Sequence, residues 1–203
     1  MRLGLLGPAD GDLAALERGA RLLVEREQAD RTVYLGADDA LDLVVAGWAR
    51  GLVGGDPSDG ALWVRAAGRC GGATPEEIDA FLATERARLS LRRLECLPLA
   101  SARTVEIVDG RVAVLLHDRG LLDEEDILPA TLLVYGRHPE PLIKRVGART
   151  FLSPGPASLG AAMLVDDAAD GVRFLVFDAA GATVRSEIVA PPHGARRERA
   201  TGG

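Results

Sequence analysis

The chain of 203 residues has 47% hydrophobic and 27% charged side chains, proportions that predict one globular domain with its own core. Aromatic residues make up 4% and the net charge is -6, so base stacking and attraction to polyanions are not expected, and nucleic acid is not a predicted partner. The apolar N-terminal run stops at Pro8, too short for a signal-peptide core or a membrane span. Cys70 and Cys96 form neither a disulfide framework nor a paired zinc pattern, so we expect a reduced, cytoplasmic protein without a membrane segment.

The first half of the chain predicts strands that alternate with helices. Apolar runs at residues 3–6, 32–35 and 61–66 predict buried strands, and a glycine follows each of them. Leucine, valine and alanine at helical spacing predict helices over about residues 13–24 and 41–52. Thr74, Pro75 and the two acids after them predict the start of a helix that runs to about residue 94.

The second half predicts mostly strands. Residues 104–108 and 111–116 are joined by Asp109-Gly110, which is typical of a hairpin with a tight type I′ turn. Further strands are predicted at residues 131–135, 142–146, 150–152, 161–165, 172–177 and 183–189, the last three antiparallel. This order predicts an α/β fold, a two-sheet sandwich flanked by helices, as a single domain over residues 1–190. Residues 191–203 have no apolar anchor and are predicted to be a disordered tail.

Five loops follow predicted strands, at residues 7–10, 36–38, 68–71, 117–120 and 136–139. Because loops at strand ends of an α/β fold converge where ligands usually bind, we predict one common site. The candidate ligand-binding side chains in these loops are Asp10, Asp38, Arg69, His117, Arg137 and His138.

The order of these loops and the hairpin before His117 resemble the five motifs of the calcineurin-like metallophosphoesterases. The chain is most similar to that superfamily's compact, single-domain bacterial and archaeal phosphodiesterases, over approximately residues 1–189. The segment Ser153-Pro154-Gly155-Pro156 is similar to an Asn-Pro-Gly-Ser segment of that branch. The resemblance implies an αββα sandwich and a two-metal centre that hydrolyses phosphodiesters.

Most of the implied metal-ligand positions hold side chains that cannot bind a metal. The resemblance places these residues there: Pro8, Ala37, Arg69, Arg137 and Pro139. His117, in the fourth motif, matches an implied ligand histidine, whereas Asp10 replaces a histidine, and Asp38 and His138 lie one position out of register. Two-metal hydrolysis needs several anionic or imidazole ligands around both ions, so we expect no resident metal cofactor and no metal-dependent catalytic residue.

The leading hypothesis is therefore a catalytically impaired or inactive homologue, a pseudoenzyme that acts in a bacterial cytoplasm as a regulatory or partner-binding protein. It would work through a protein partner or through self-association. An alternative without a ligand is that Arg69 and Arg137 form a structural ion-pair cluster with Asp10 and Asp38.

Two further alternatives remain open. Arg69, Arg137 and Arg119 could bind phosphate or a nucleotide without a metal, because guanidinium groups offer bidentate donors. His117, His138, Asp10 and Asp38 could instead hold a single divalent metal such as Mn or Zn, with residual phosphodiesterase activity.

Overall fold

The computed structural model describes residues 1–98, 101–160 and 162–190, so the predicted tail at residues 191–203 lies outside the described residues. The first half contains β1 (Arg2–Leu6), α1 (Leu13–Arg21), β2 (Arg31–Tyr34), α2 (Ala40–Val53), α3 (Leu62–Cys70), α4 (Pro75–Ser90) and β3 (Leu94–Cys96). The second half contains β4 (Arg103–Val108), β5 (Arg111–Leu116), α5 (Glu124–Ile127), β6 (Leu132–Tyr135), β7 (Leu142–Val146), β8 (Arg149–Ser153), β9 (Ala162–Ala168), β10 (Gly171–Phe177) and β11 (Thr183–Val189). Within the described ranges, no helix has the length and apolarity that a membrane crossing requires.

Two mixed sheets form the body of the molecule. The six-stranded sheet has the order β11-β10-β9-β1-β2-β3, and the five-stranded sheet has the order β4-β5-β6-β8-β7. Alternate side chains of both sheets form the main core, including Leu5, Val33, Leu115, Val134 and Phe174. Helices flank the sheets, so the predicted two-sheet sandwich with outer helices is confirmed.

Local sequence signals explain where several elements begin. Asp12 accepts a 2.9 Å hydrogen bond from the backbone N–H of Ala15 and so caps α1, whose buried Leu16 packs onto the six-stranded sheet. Thr74 and Glu77 form a reciprocal capping box at the start of α4. In the hairpin between β4 and β5, Asp109 and Gly110 both have positive φ angles, as the predicted type I′ turn requires.

The predicted strand at residues 61–66 is wrong, because this segment lies within helix α3 apart from its first residue. Its side chains follow a helical period: Trp63 and Val64 are 80% and 75% exposed, while Arg65 turns inward to an ion pair with buried Glu85 on α4. The short apolar run did not distinguish a strand from a helix.

The third strand of the six-stranded sheet is instead β3, which pairs in parallel with β2. From the sequence, the preceding helix is predicted to run to about residue 94, and no strand is predicted at Leu94–Cys96. That helix, α4, ends at Ser90 and is followed by a single 3₁₀ turn at Leu91–Arg93. With only three residues, β3 is too short to show a period of two.

Candidate functional site

A cavity of about 750 Å³ opens where the loops after β1, β5, β6 and β8 meet. Its lining residues come from both sheets: Pro8, Asp10, His117, Asp118, Arg119, Tyr135, Gly136, Arg137, His138, Pro139 and Pro156. The predicted convergence of loops therefore holds for three of the five: those at residues 7–10, 117–120 and 136–139.

Close backbone contacts hold these loops together. A Cβ atom on Gly7 would lie 1.6 Å from the carbonyl oxygen of Gly155, and one on Gly136 would lie 2.3 Å from the carbonyl oxygen of Leu35. The N–H of Ala157 also donates a 2.8 Å hydrogen bond to the carbonyl of Pro8. The glycines thus allow the two sheets to approach each other at the mouth of the pocket.

Asp38 lies behind the pocket and is not among its lining residues. Its Oδ1 accepts hydrogen bonds from the hydroxyl of Tyr34 at 2.8 Å and from the N–H of Ala40 at 3.1 Å. The same hydroxyl accepts a 2.9 Å bond from the N–H of Ala9. Burial raises the pKa of Tyr34, so its hydroxyl stays protonated and serves as the donor to Asp38. Asp38 therefore supports the loops after β1 and β2.

The two candidate histidines are oriented by backbone carbonyls. Nδ1 of His117 lies 2.9 Å from the carbonyl oxygen of Leu35, and Nδ1 of His138 lies 2.6 Å from that of Glu140. Because a carbonyl oxygen only accepts, these contacts favour a proton on Nδ1, and at His138 the 2.6 Å contact is much shorter than the 3.4 Å contact from the N–H of Glu140 to the same Nδ1. In each ring Nε2 is then free to contact a ligand. The ring of His138 also packs edge-on against Tyr135, with 5.9 Å between ring centroids. Both imidazoles belong to the pocket lining.

An ion pair between Arg137 and Asp118 forms part of the pocket lining. Nη1 of Arg137 lies 3.2 Å from Oδ2 of Asp118, and the Arg137 side chain is 75% exposed. Asp118 also accepts a 2.8 Å bond from the N–H of Gly120. The pKa of Asp118 is held below its usual value, mainly by the hydrogen bond from the Gly120 amide and next by Arg137. This carboxylate therefore stays charged and helps to position Arg137.

Arg69 does not belong to this pocket, which corrects its assignment to the third motif. It lies on α3, where its Nη2 donates a 3.3 Å hydrogen bond to the carbonyl of Val53 at the end of α2. The segment at residues 68–71 follows no strand. At the true end of β3 the described residues are buried Leu97 and exposed Pro98, whose side chains offer no ligand atom.

The residues of the pocket do not fit a two-metal centre. In the part of the chain that the structure describes, no three His, Cys, Asp or Glu side chains lie close enough together to hold a metal ion. Asp10, His117 and His138 line the pocket, but Arg137 and the prolines occupy positions where the resemblance implies ligands. A guanidinium group offers only donors and stays protonated, so it cannot replace a ligand.

Three residues of the site were not predicted from the sequence: Tyr34, Asp118 and Tyr135. One signal for Tyr34 was available, because it ends an apolar strand two residues before Gly36. A Cβ on Gly36 would lie 2.2 Å from the Tyr34 ring, so this glycine makes room for the ring. Asp118 and Tyr135 acquire their roles only through contacts between loops, which spacing does not reveal.

The structure is similar to solved structures that share the calcineurin-like metallophosphoesterase fold. An archaeal phosphodiesterase is 12% identical with a TM-score of 0.50, over 87% of this chain and 100% of that chain. A predicted phosphoesterase from Streptococcus pneumoniae TIGR4 is 10% identical with a TM-score of 0.51, over 94% and 97%. Vacuolar protein sorting 29 from Cryptosporidium parvum is 13% identical with a TM-score of 0.53, over 94% and 98%. The chain thus has the metallophosphoesterase fold.

Sequence comparison adds no closer relative. No protein-family model matches the chain, and the comparison with curated proteins gives no match.

Proposed function

We propose that this protein is a non-hydrolytic homologue of the metallophosphoesterases, a regulatory protein of a bacterial cytoplasm whose pocket binds a phosphate-bearing ligand without a metal. One observation carries the proposal. Arg119, Arg137 and two imidazoles line the cavity at the strand ends, where a two-metal centre would need ligands. In this proposal, the guanidinium groups of Arg119 and Arg137 take over the role of neutralising phosphate.

The chemistry of the pocket favours an anion of small-molecule size. A cavity of about 750 Å³ falls within the usual range for small-ligand sites. Arg137 is exposed and held by Asp118, and a guanidinium group so placed can present paired N–H donors to phosphate oxygens. Nε2 of His117 or His138 would add a further donor when the imidazole is protonated. A nucleotide is one candidate for this ligand, and it would be recognised through its phosphate groups.

The test is a thermal-shift and calorimetric titration with ATP, AMP and inorganic phosphate in the presence of EDTA. A ligand at one hundred times its dissociation constant should stabilise the fold by about 2.7 kcal/mol. Arg137→Ala and Arg119→Ala should each weaken binding at least tenfold. Arg69→Ala is the matched control and should leave the affinity unchanged, because Arg69 contacts α2 instead of the pocket. Absence of binding by every phosphate compound would overturn the proposal.

The same protein should be tested for the competing possibility of a single Mn or Zn ion at Asp10, His117 and His138. Metal analysis of the purified protein and hydrolysis of bis-p-nitrophenyl phosphate with manganese are the measurements. We expect neither stoichiometric metal nor turnover. Bound metal together with turnover that His117→Ala abolishes would contradict the non-hydrolytic proposal.

A further inference from the structure

Among the described residues, no strand pairs with the outer edge of β4. Within residues 1–98, 101–160 and 162–190, β4 pairs with β5 on one side only and ends the five-stranded sheet. The β4–β5 register is regular over all six residues, without a bulge, and β4 contains neither proline nor lysine. Natural edge strands usually carry a bulge, a proline or a lysine, because these features prevent an open edge from pairing with another chain.

The ladder shows which backbone groups of β4 face this open edge. The N–H of His117 donates to the carbonyl of Ala102, so residue 102 directs its carbonyl toward β5. In an antiparallel ladder the direction alternates, and Thr104, Glu106 and Val108 therefore face β5 as well. The N–H and C=O groups of Arg103, Val105 and Ile107 consequently point away from the sheet.

The other three sheet edges are protected by their sequences or shapes. β3 has only three residues. β7 carries Lys144 and Arg145, both exposed. β11 has a register irregularity opposite Val176 and Phe177 and a charged pair, Arg185 and Glu187. Among the four sheet edges that the structure describes, β4 is the one with six regularly paired residues and neither lysine nor proline.

The side chains around the β4 edge indicate what it would bind. Val105 and Ile107 are 57% and 58% exposed on the outer face of the sheet. Arg103, at the start of β4, forms ion pairs with Asp123 and Asp126. These ion pairs place α5 beside β4, and Glu124 and Glu125 of α5 are exposed acids. The edge thus presents an apolar surface next to an acidic one.

We infer that β4 is a docking edge for an extended segment of a partner protein, one with apolar residues at alternate positions and a basic residue facing α5. The segment would add a sixth strand to this sheet through Arg103, Val105 and Ile107, with main-chain hydrogen bonds supplying affinity and alternate side chains supplying specificity. Charge complementarity selects a basic segment. It disfavours a second copy of this chain, because two molecules of net charge -6 repel each other.

The probe is a fluorescein-labelled heptapeptide with blocked ends, in which valine and threonine alternate and a lysine stands at each end. Fluorescence anisotropy with the full chain should give saturable binding. A version with glutamate in place of both lysines should bind at least tenfold more weakly, as should a version methylated on alternate backbone nitrogens. The methylated peptide tests the strand pairing without altering the protein.

Two variants of Val105 test the same pairing from the protein side. Val105→Pro removes an N–H that faces the open edge, while every hydrogen bond to β5 is kept. This variant should weaken binding at least tenfold. Val105→Thr keeps that N–H and should bind within threefold of the wild type. Hydrogen exchange followed by NMR should show the amides of Arg103, Val105 and Ile107 becoming protected on peptide addition.

Two results would overturn the inference. One is equal binding of the acidic or methylated peptide. The other is a free protein that sediments as a dimer with the Val105 and Ile107 amides already protected, which would make a second copy the occupant. Neither result bears on ligand binding in the pocket, which lies at the strand ends.

Discussion

The hydroxyl group of Tyr34 donates a 2.8 Å hydrogen bond to the carboxylate of Asp38. It also accepts one from the N–H of Ala9, so a single buried phenol joins the loops after β1 and β2. The next residue, Leu35, provides the carbonyl that orients His117. The end of β2 thus supports the pocket from behind, although Tyr34 is not among the lining residues.

Replacing Tyr34 should loosen this support. Tyr34→Phe leaves the N–H of Ala9 without its partner and removes the donor to Asp38, so the free energy of unfolding should fall by about 1–3 kcal/mol. Urea unfolding measures the change. Tyr135→Phe is the matched control, a second buried tyrosine at a strand end, and it should cost less. Equal losses in both variants would show that the Tyr34 hydrogen bonds contribute little.

The contact between Gly7 and Gly155 gives a second prediction. A methyl group on Gly7 would meet the Gly155 carbonyl at 1.6 Å, so Gly7→Ala should lower the free energy of unfolding by about 1–3 kcal/mol or more. Gly47→Ala is a control for which the free energy of unfolding should change in the opposite direction. Gly47 lies in α2 with open space around it, and alanine there should stabilise the protein by about 0.5–1 kcal/mol.

Thermal unfolding monitored by circular dichroism distinguishes the two glycine variants. For a chain of this size, 1 kcal/mol corresponds to about 2–4 °C in Tm. A Gly7→Ala variant as stable as the wild type would mean that the two loops can separate without cost.

The ion pair between α3 and α4 predicts a pH-dependent effect. Both oxygens of Glu85 bind Arg65, at 2.8 and 3.1 Å, and Arg88 adds a 2.7 Å contact. Arg65 first, and then Arg88, lower the pKa of Glu85 from its usual value of 4.5. The stabilisation is therefore complete above pH 4.5 and is lost as the pH falls through the lowered folded-state pKa.

Glu85→Gln should accordingly reduce the free energy of unfolding by about 1–3 kcal/mol at pH 7, and the difference from the wild type should shrink below pH 4.5. Urea titrations between pH 3 and pH 7 provide the measurement. Glu125→Gln, at an exposed position on α5, should show a much smaller difference. A Glu85→Gln effect that is constant across this pH range would contradict the role of the charge.

Some elements could be predicted because their signals are local. The Asp109-Gly110 turn, the Thr74–Glu77 capping box and the two hairpin strands before His117 depend on neighbours in the sequence. The strand predicted at residues 61–66 failed because the inward direction of Arg65 depends on Glu85, twenty residues away. The same error placed Arg69 in the site.

The sequence by itself determined the two-sheet α/β sandwich and the grouping of Asp10, His117, Arg137 and His138, because strand periods and glycine loops in a fixed order encode both. Only the tertiary structure decided that Arg69 lies on a separate helix, that Asp38 supports the pocket from behind, and that β4 has an open edge. The physical reason is that these features depend on contacts between segments distant in the chain. The spacing of neighbouring residues carries no information about such contacts.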